Sequence, residues 1–299
     1  MLSYSCKQER MWLIMVTPCI AIAKIDIPLL TAQLLFTIIV SLMIQSLVLV
    51  SMTIIESNYN LVFNKFNIYM TENEVTKLKR NIIIFNILLI IAIITGDICY
   101  IQSESLLIKA ITSFGFLLQG SINLVYSIKI KSEHIRFPIM MVIGLFFAML
   151  GDILLNIHFI TGAIFFAVGH VFYFIAYTVL VKLKLTDFIP AGMIFVSSAM
   201  LTCAPIFNFK SDVMKAICIT YALVISFMVG KAISNYIRYK KSVHKVLLLG
   251  SILFFFSDLM LLFKVFSDAP AITSTLCLLS YYPAECLLAY SILHINIKK

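Results

Sequence analysis

Three carboxylates lie where lipid should exclude them. Asp97 follows Gly96, Asp152 follows Gly151 and Asp258 follows Ser257, each inside an apolar run long enough to cross a bilayer. An ionisable group at such a depth costs roughly 2.5–3.5 kcal/mol on insertion scales, so it marks a functional site by default. Carboxylates that share a level can hold different protonation states, one as acid and one as ion. That pairing suits general acid/base hydrolysis or a proton relay.

A helix rises 1.5 Å per residue, which turns sequence positions into depths. Asp97, Asp152 and Asp258 then fall roughly 6–11 Å below the same ends of their helices, and Lys109 enters about as deep from that side. His170 and Tyr173 follow at about 15–20 Å, near the midplane. Tyr281, Tyr282 and Glu285 lie at similar or greater depth in the last apolar segment. Ionisable groups thus gather in one half of the bilayer, which scattered structural polar residues would not do.

Each residue also has a bland reading. Asp97, near a helix end, can reach the interface. Lys109 can snorkel outward on its apolar stem, or it can face a carboxylate or a substrate phosphate. A lone membrane histidine such as His170 is usually a hydrogen-bonded packing residue. Asp152 and Asp258 are deeper, and their small neighbours Gly151 and Ser257 permit close helix contact. Glu285 follows Pro283, which frees a backbone carbonyl and can open the helix locally.

The elements that must position these groups are helices. The chain of 299 residues is 62% hydrophobic and 12% charged, where about a quarter of a soluble domain is charged. In lipid only helices or closed barrels satisfy the backbone, and the long unbroken apolar runs exclude a barrel. The expected class is an all-α polytopic transmembrane bundle. A net charge of +9 could suggest nucleic acid, but it sits in short clusters between apolar runs. Such clusters set topology and meet anionic headgroups, so the expected partner is the bilayer, with no nucleic acid. The seven cysteines contain no Cys-x-x-Cys pair and read as small buried hydrophobes. The sequence holds no Gly-x-Ser-x-Gly elbow, His-Glu-x-x-His or Walker loop. Four of the five histidines fall in or near loops or helix ends, so a zinc site in the membrane is not expected. No cofactor is expected either.

Eight apolar segments are expected near 81–101, 106–128, 137–157, 160–182, 187–207, 213–236, 244–265 and 271–296. Their connections alternate between basic and charge-poor, which fits both ends of the bundle on the cytoplasmic side. Before them comes an N-terminal extension, 1–56, with at least one extra span at 27–55. The short apolar stretch 11–23 reads as a re-entrant or interfacial segment in preference to a signal peptide. Residues 57–80, with Asn58, Asn60, Asn64 and Asn67 and then Lys77, Lys79 and Arg80, are expected to form a polar basic linker. The core domain is then 81–299.

Within it, five stretches carry a resemblance. They are AMLGDIL at 148–154, GHVFY at 169–173, Tyr221 with Met228, GSILFFFSDLML at 250–261 and YYPAECLLA at 281–289. In this order, on these spans, the chain resembles the YhhN-like lysoplasmalogenases, eight-span membrane hydrolases. Two departures stand out. Lys109-Ala110 replaces the common Lys-Pro, and Glu285 stands where a glutamine is usual.

The resemblance implies hydrolysis of the sn-1 vinyl ether of a lysoplasmalogen to a fatty aldehyde and a glycerophospho-alcohol. It implies Asp152 and Asp258 as the catalytic pair and a lysophospholipid as substrate. Lys109, His170, Tyr173, Tyr282, Glu285 and Asp97 would bind or orient that substrate, and the endoplasmic reticulum is the expected location. The competing reading is a transporter using the same carboxylates to relay protons or cations, although no matching pair of broken helices is visible. A third reading is an inactive relative serving as a sensor or scaffold, against which the retained aspartates argue.

Overall fold

The computed structural model describes residues 72–294, apart from 131 and 133. The N-terminal extension, including the span expected at 27–55 and the stretch 11–23, lies outside the described residues. The described residues form eight α-helices: α1 (Glu72–Ser103), α2 (Leu106–Lys129), α3 (Arg136–Leu155), α4 (Phe159–Leu180), α5 (Phe188–Thr202), α6 (Asp212–Tyr239), α7 (Ser242–Phe266) and α8 (Ile272–Ser291). All eight, α5 together with its preceding 3-10 turn Leu185–Asp187, are long and apolar enough to cross a membrane.

Two boundaries differ from expectation. Residues 72–80 are the first turns of α1 and not linker. That stretch holds no Gly or Pro, and Val75, Leu78 and Ile82 recur at helical spacing to pack on Tyr126, Ile130 and Leu293. At the other discrepancy, α5 stops at Thr202, short of the expected 207. Pro205 disfavours helical geometry at Ala204, so the chain turns there.

Short connections make sequential helices antiparallel neighbours. Glu104, in the left-handed region at φ 51°, reverses the chain between α1 and α2. His158 caps α4 by accepting the Thr161 N–H at 3.3 Å, and Ser211 caps α6 by accepting the Met214 N–H at 3.2 Å. The helix α8 is the most buried and touches α1, α2, α3 and α7, while α5 packs chiefly on α6 at the rim.

The sequence of α2 shows how the bundle holds polar groups inside. Lys109, Thr112, Ser113, Phe116, Gln119, Asn123 and Ser127 form one buried stripe. Leu107, Ile111, Phe114 and Val125 are exposed on the opposite side. In lipid the apolar face belongs outside, so a mostly polar inner face is the signature of a functional or network-bearing interior. Part of it is structural. Asn123 donates to the Asn86 side chain at 3.0 Å and Gln119 to the same oxygen at 2.9 Å, fixing α1 against α2.

The pairing of α3 with α4 depends on small residues. A Cβ on Gly162 would lie 2.5 Å from the backbone nitrogen of Leu155, and one on Gly151 would lie 2.9 Å from the Phe166 ring. Close approach at these glycines sets the register that presents Asp152 inward.

Candidate functional site

Asp152 sits one turn from the end of α3 and is 3% exposed. Its carboxylate meets donors from two other helices. Lys109 Nζ lies 2.9 Å from Oδ1. Ser113 Oγ donates to Oδ2 at 2.5 Å, and the Tyr282 hydroxyl donates to the same oxygen at 2.9 Å. Lys109 and Ser113 are four residues apart on α2, so one helical face delivers both. Lys109 also donates to Asn156 Oδ1 at 3.0 Å, and Asn156, one turn beyond Asp152, donates to the Tyr100 hydroxyl at 3.0 Å. Lys109 is 4% exposed and ion-paired, so it does not snorkel.

Asp258, on α7, has a different setting. The Tyr221 hydroxyl of α6 donates to Oδ2 at 2.8 Å. That hydroxyl oxygen lies 2.8 Å from His170 Nε2 of α4, and His170 Nε2 lies 3.5 Å from the carboxylate itself. With Tyr221 donating to Asp258, its oxygen accepts from Nε2–H, which assigns the histidine tautomer. The Nδ1 atom is buried without a partner among the described residues. Asp258 Oδ1 takes no protein donor among those residues, in contrast to the filled Asp152.

Both aspartates line one cavity of about 180 Å³. Lys109, Asn156, Tyr100, Ser257, Tyr281 and Lys264 are among its walls. A narrower apolar groove of about 80 Å³ runs beside it between α6 and α7, lined by Ile217, Ile225, Phe255 and Leu262 with Tyr221 and Asp258. Leu155, Phe159, Phe166, Asp258 and Leu261 belong to both spaces. Asp258 is therefore a wall both of the chamber that holds the charged groups and of the apolar groove beside it.

The remaining expected residues divide. His170 reaches Asp258 directly and through Tyr221, and Tyr282 reaches Asp152. Tyr173 and Glu285 pair with each other, the Tyr173 hydroxyl donating to Oε2 at 2.7 Å, and neither is a wall of the cavity. Glu285 is 0% exposed, with Oε1 unpartnered among the described residues. Asp97 is also 0% exposed, which excludes its reaching the interface. Both its oxygens lack partners among the described residues, and it is not a cavity wall.

Sequence reasoning missed Ser113, Asn156 and Lys264 as site residues, and it noticed Tyr221 only through the resemblance. The buried stripe of α2 could have pointed to Ser113, four residues after Lys109. Lys264 is exposed near a helix end and carries no sequence signal beyond its charge. Among the described residues no group of three or more His, Cys, Asp or Glu is arranged to hold a metal ion. The five described cysteines are unpaired.

The model of the YhhN family matches residues 105–292. This covers α2 to α8 and every residue of the two aspartate settings except Tyr100. Comparison with curated proteins and with solved structures gave no match.

Proposed function

Because the chain belongs to the YhhN family, we propose that it is a multi-pass membrane hydrolase that cleaves the vinyl ether of lysoplasmalogens. The observation that carries the reading is the single cavity holding two differently dressed aspartates, which shares five wall residues with an apolar groove. The alkenyl chain would lie in the groove among Ile217, Ile225, Phe255 and Leu262. The vinyl ether would then sit at Asp258, and the glycerophosphate would extend toward Lys264 and Asn156.

Asp258 is the acid in this scheme. Its Oδ1 carries the proton to the β-carbon of the vinyl ether, and the electron pair of the double bond forms the new C–H bond. The oxocarbenium ion left behind is stabilised by Asp152, an anion fixed by Lys109, Ser113 and Tyr282. Water adds to the cationic carbon and its proton returns to Asp258. The resulting hemiacetal breaks its C–O bond to the glycerol oxygen; that oxygen takes a proton from Asp258, which regains one from the hemiacetal hydroxyl, and aldehyde and glycerophospho-alcohol are released. Tyr221, itself a wall of the groove, and His170 orient the acid. Lys109, engaged by Asp152, is an electrostatic support, and the exposed ammonium of Lys264 takes the phosphate role.

The test uses purified full-length protein in detergent with a lysoplasmalogen, scoring aldehyde. A hydrolase turns over without a sealed compartment. No aldehyde there, together with substrate-dependent proton flux in proteoliposomes, would favour the transporter reading instead.

A further inference from the structure

The opposite end of the bundle holds a second, larger cavity, of about 730 Å³. Lys79 of α1, His134 of the α2–α3 connection, Lys240 and Lys241 of the α6–α7 connection, and Ser242 and His244 of α7 are among its walls. No Asp or Glu is a wall among the described residues. Three lysines around one concave space repel each other unless a counter-charge enters.

The backbone adds to this field. α7 begins at Ser242 with no side-chain cap at Lys241 and no acidic residue in its first turn. Its first N–H groups therefore lack both a capping acceptor and a compensating anion, and the positive end of the helix dipole faces the cavity. A helix N-terminus alone would prove little, but His244 is a second, independent sign. It is only 5% exposed, it lines the cavity, and its Nδ1 is buried without a hydrogen-bond partner among the described residues. A polar atom so placed is completed by a water or by a ligand group. The α6 C-cap contributes too. Lys240 adopts a left-handed conformation at φ 48°, uncommon for a residue with a side chain, which reverses the backbone at the cavity edge.

We propose that this cavity is a binding site for a terminal phosphate group, held by Lys79, Lys240 and Lys241, by the α7 N-terminus and by His244. Basic pockets between helix ends at a membrane surface take headgroup phosphates, and a soluble polyphosphate presents the same chemistry. The site lies at the other end of the bundle from the aspartates and does not depend on the hydrolase reading.

The experiment measures thermal unfolding of the full-length protein in two arms. One titrates inorganic pyrophosphate in detergent. The other compares nanodiscs of phosphatidylcholine with nanodiscs containing phosphatidic acid. Each arm is repeated with Lys240→Gln/Lys241→Gln, both exposed and outside the packed interior. A bound ligand raises the apparent melting temperature by mass action. The expected result is a rise in at least one arm, with a half-saturating concentration at least tenfold higher in the double variant. A rise with phosphatidic acid alone assigns a lipid headgroup, and a rise with pyrophosphate alone assigns a soluble phosphate. No rise in either arm, a rise unchanged by the double substitution, or one matched by sodium chloride at equal ionic strength would overturn the proposal.

Discussion

Two buried aspartates are ion-paired among the described residues, and they are not alike. Asp187, in the 3-10 turn before α5, is 3% exposed and bonds Lys231 Nζ at 2.7 Å, the Lys184 backbone N–H at 2.9 Å and the Arg238 guanidinium. Lys231 also donates to the Lys182 carbonyl at 3.2 Å. Both carboxylate oxygens are engaged by residues that join α4, α5 and α6, and Asp187 is not a wall of any of the three cavities described above. Asp152 is as well bonded, yet it opens on a chamber that it shares with Asp258. Burial and pairing are thus common to a structural clasp and a candidate reaction centre. What separates them is a cavity and a second carboxylate with one oxygen that takes no protein donor among the described residues.

That contrast can be broken most sharply at the chamber. Asp258→Asn or Asp152→Asn retains size and most hydrogen bonding but removes the proton or the charge. Each is expected to lower aldehyde turnover by about 10²–10⁴-fold, the usual contribution of a general acid or base. Thermal unfolding of the same variants checks that they fold.

The clasp should behave in the opposite way. Asp187→Asn leaves Lys231 and Arg238 without their anion, and breaking a buried pair typically costs about 3–5 kcal/mol. The expected outcome is a clearly lower melting temperature in detergent, with turnover per folded molecule near wild type. A variant of normal stability and lost turnover would place Asp187 in the chemistry.

A smaller effect tests where the phosphate goes. Lys264→Ala should raise KM several-fold and leave kcat nearly unchanged, because uniform binding is lost and proton transfer is not. Lys109→Ala should lower kcat, since Lys109 acts through Asp152. If Lys109→Ala changes only KM, the division of labour between the two lysines is reversed.

Much of this was legible in the sequence. The positions of Asp152 and Asp258 pointed to one shared level, and both line one cavity; Gly151 and Ser257 pointed to close helix contact. Gly151 meets Phe166 and Gly162, and the Ser257 hydroxyl bonds the Cys277 carbonyl at 2.9 Å. Depth does not give rotation or packing, however. Glu285 shares the level of the site but lies one turn farther along α8 than Tyr281, beyond the cavity wall, where it meets Tyr173. The contact of His170, Tyr221 and Asp258 joins three helices across 51 and 37 residues of sequence, and no local pattern encodes it. The clasp at Asp187 was hidden for another reason. Lys231 looks like one more basic residue near a basic loop until α4, α5 and α6 are packed together. The start of α1 was obscured because a polar, basic stretch reads as linker even when its spacing is helical.

The central claim is that Asp152 and Asp258 act as a unit on one bond. The most direct measurement is aldehyde release, per folded molecule, by Asp152→Asn, Asp258→Asn and the double variant. Groups that act on one transition state are strongly non-additive. The account predicts that the double variant falls no more than about threefold below the weaker single variant. Two losses that multiply, or either single variant turning over near the wild-type rate, would contradict it.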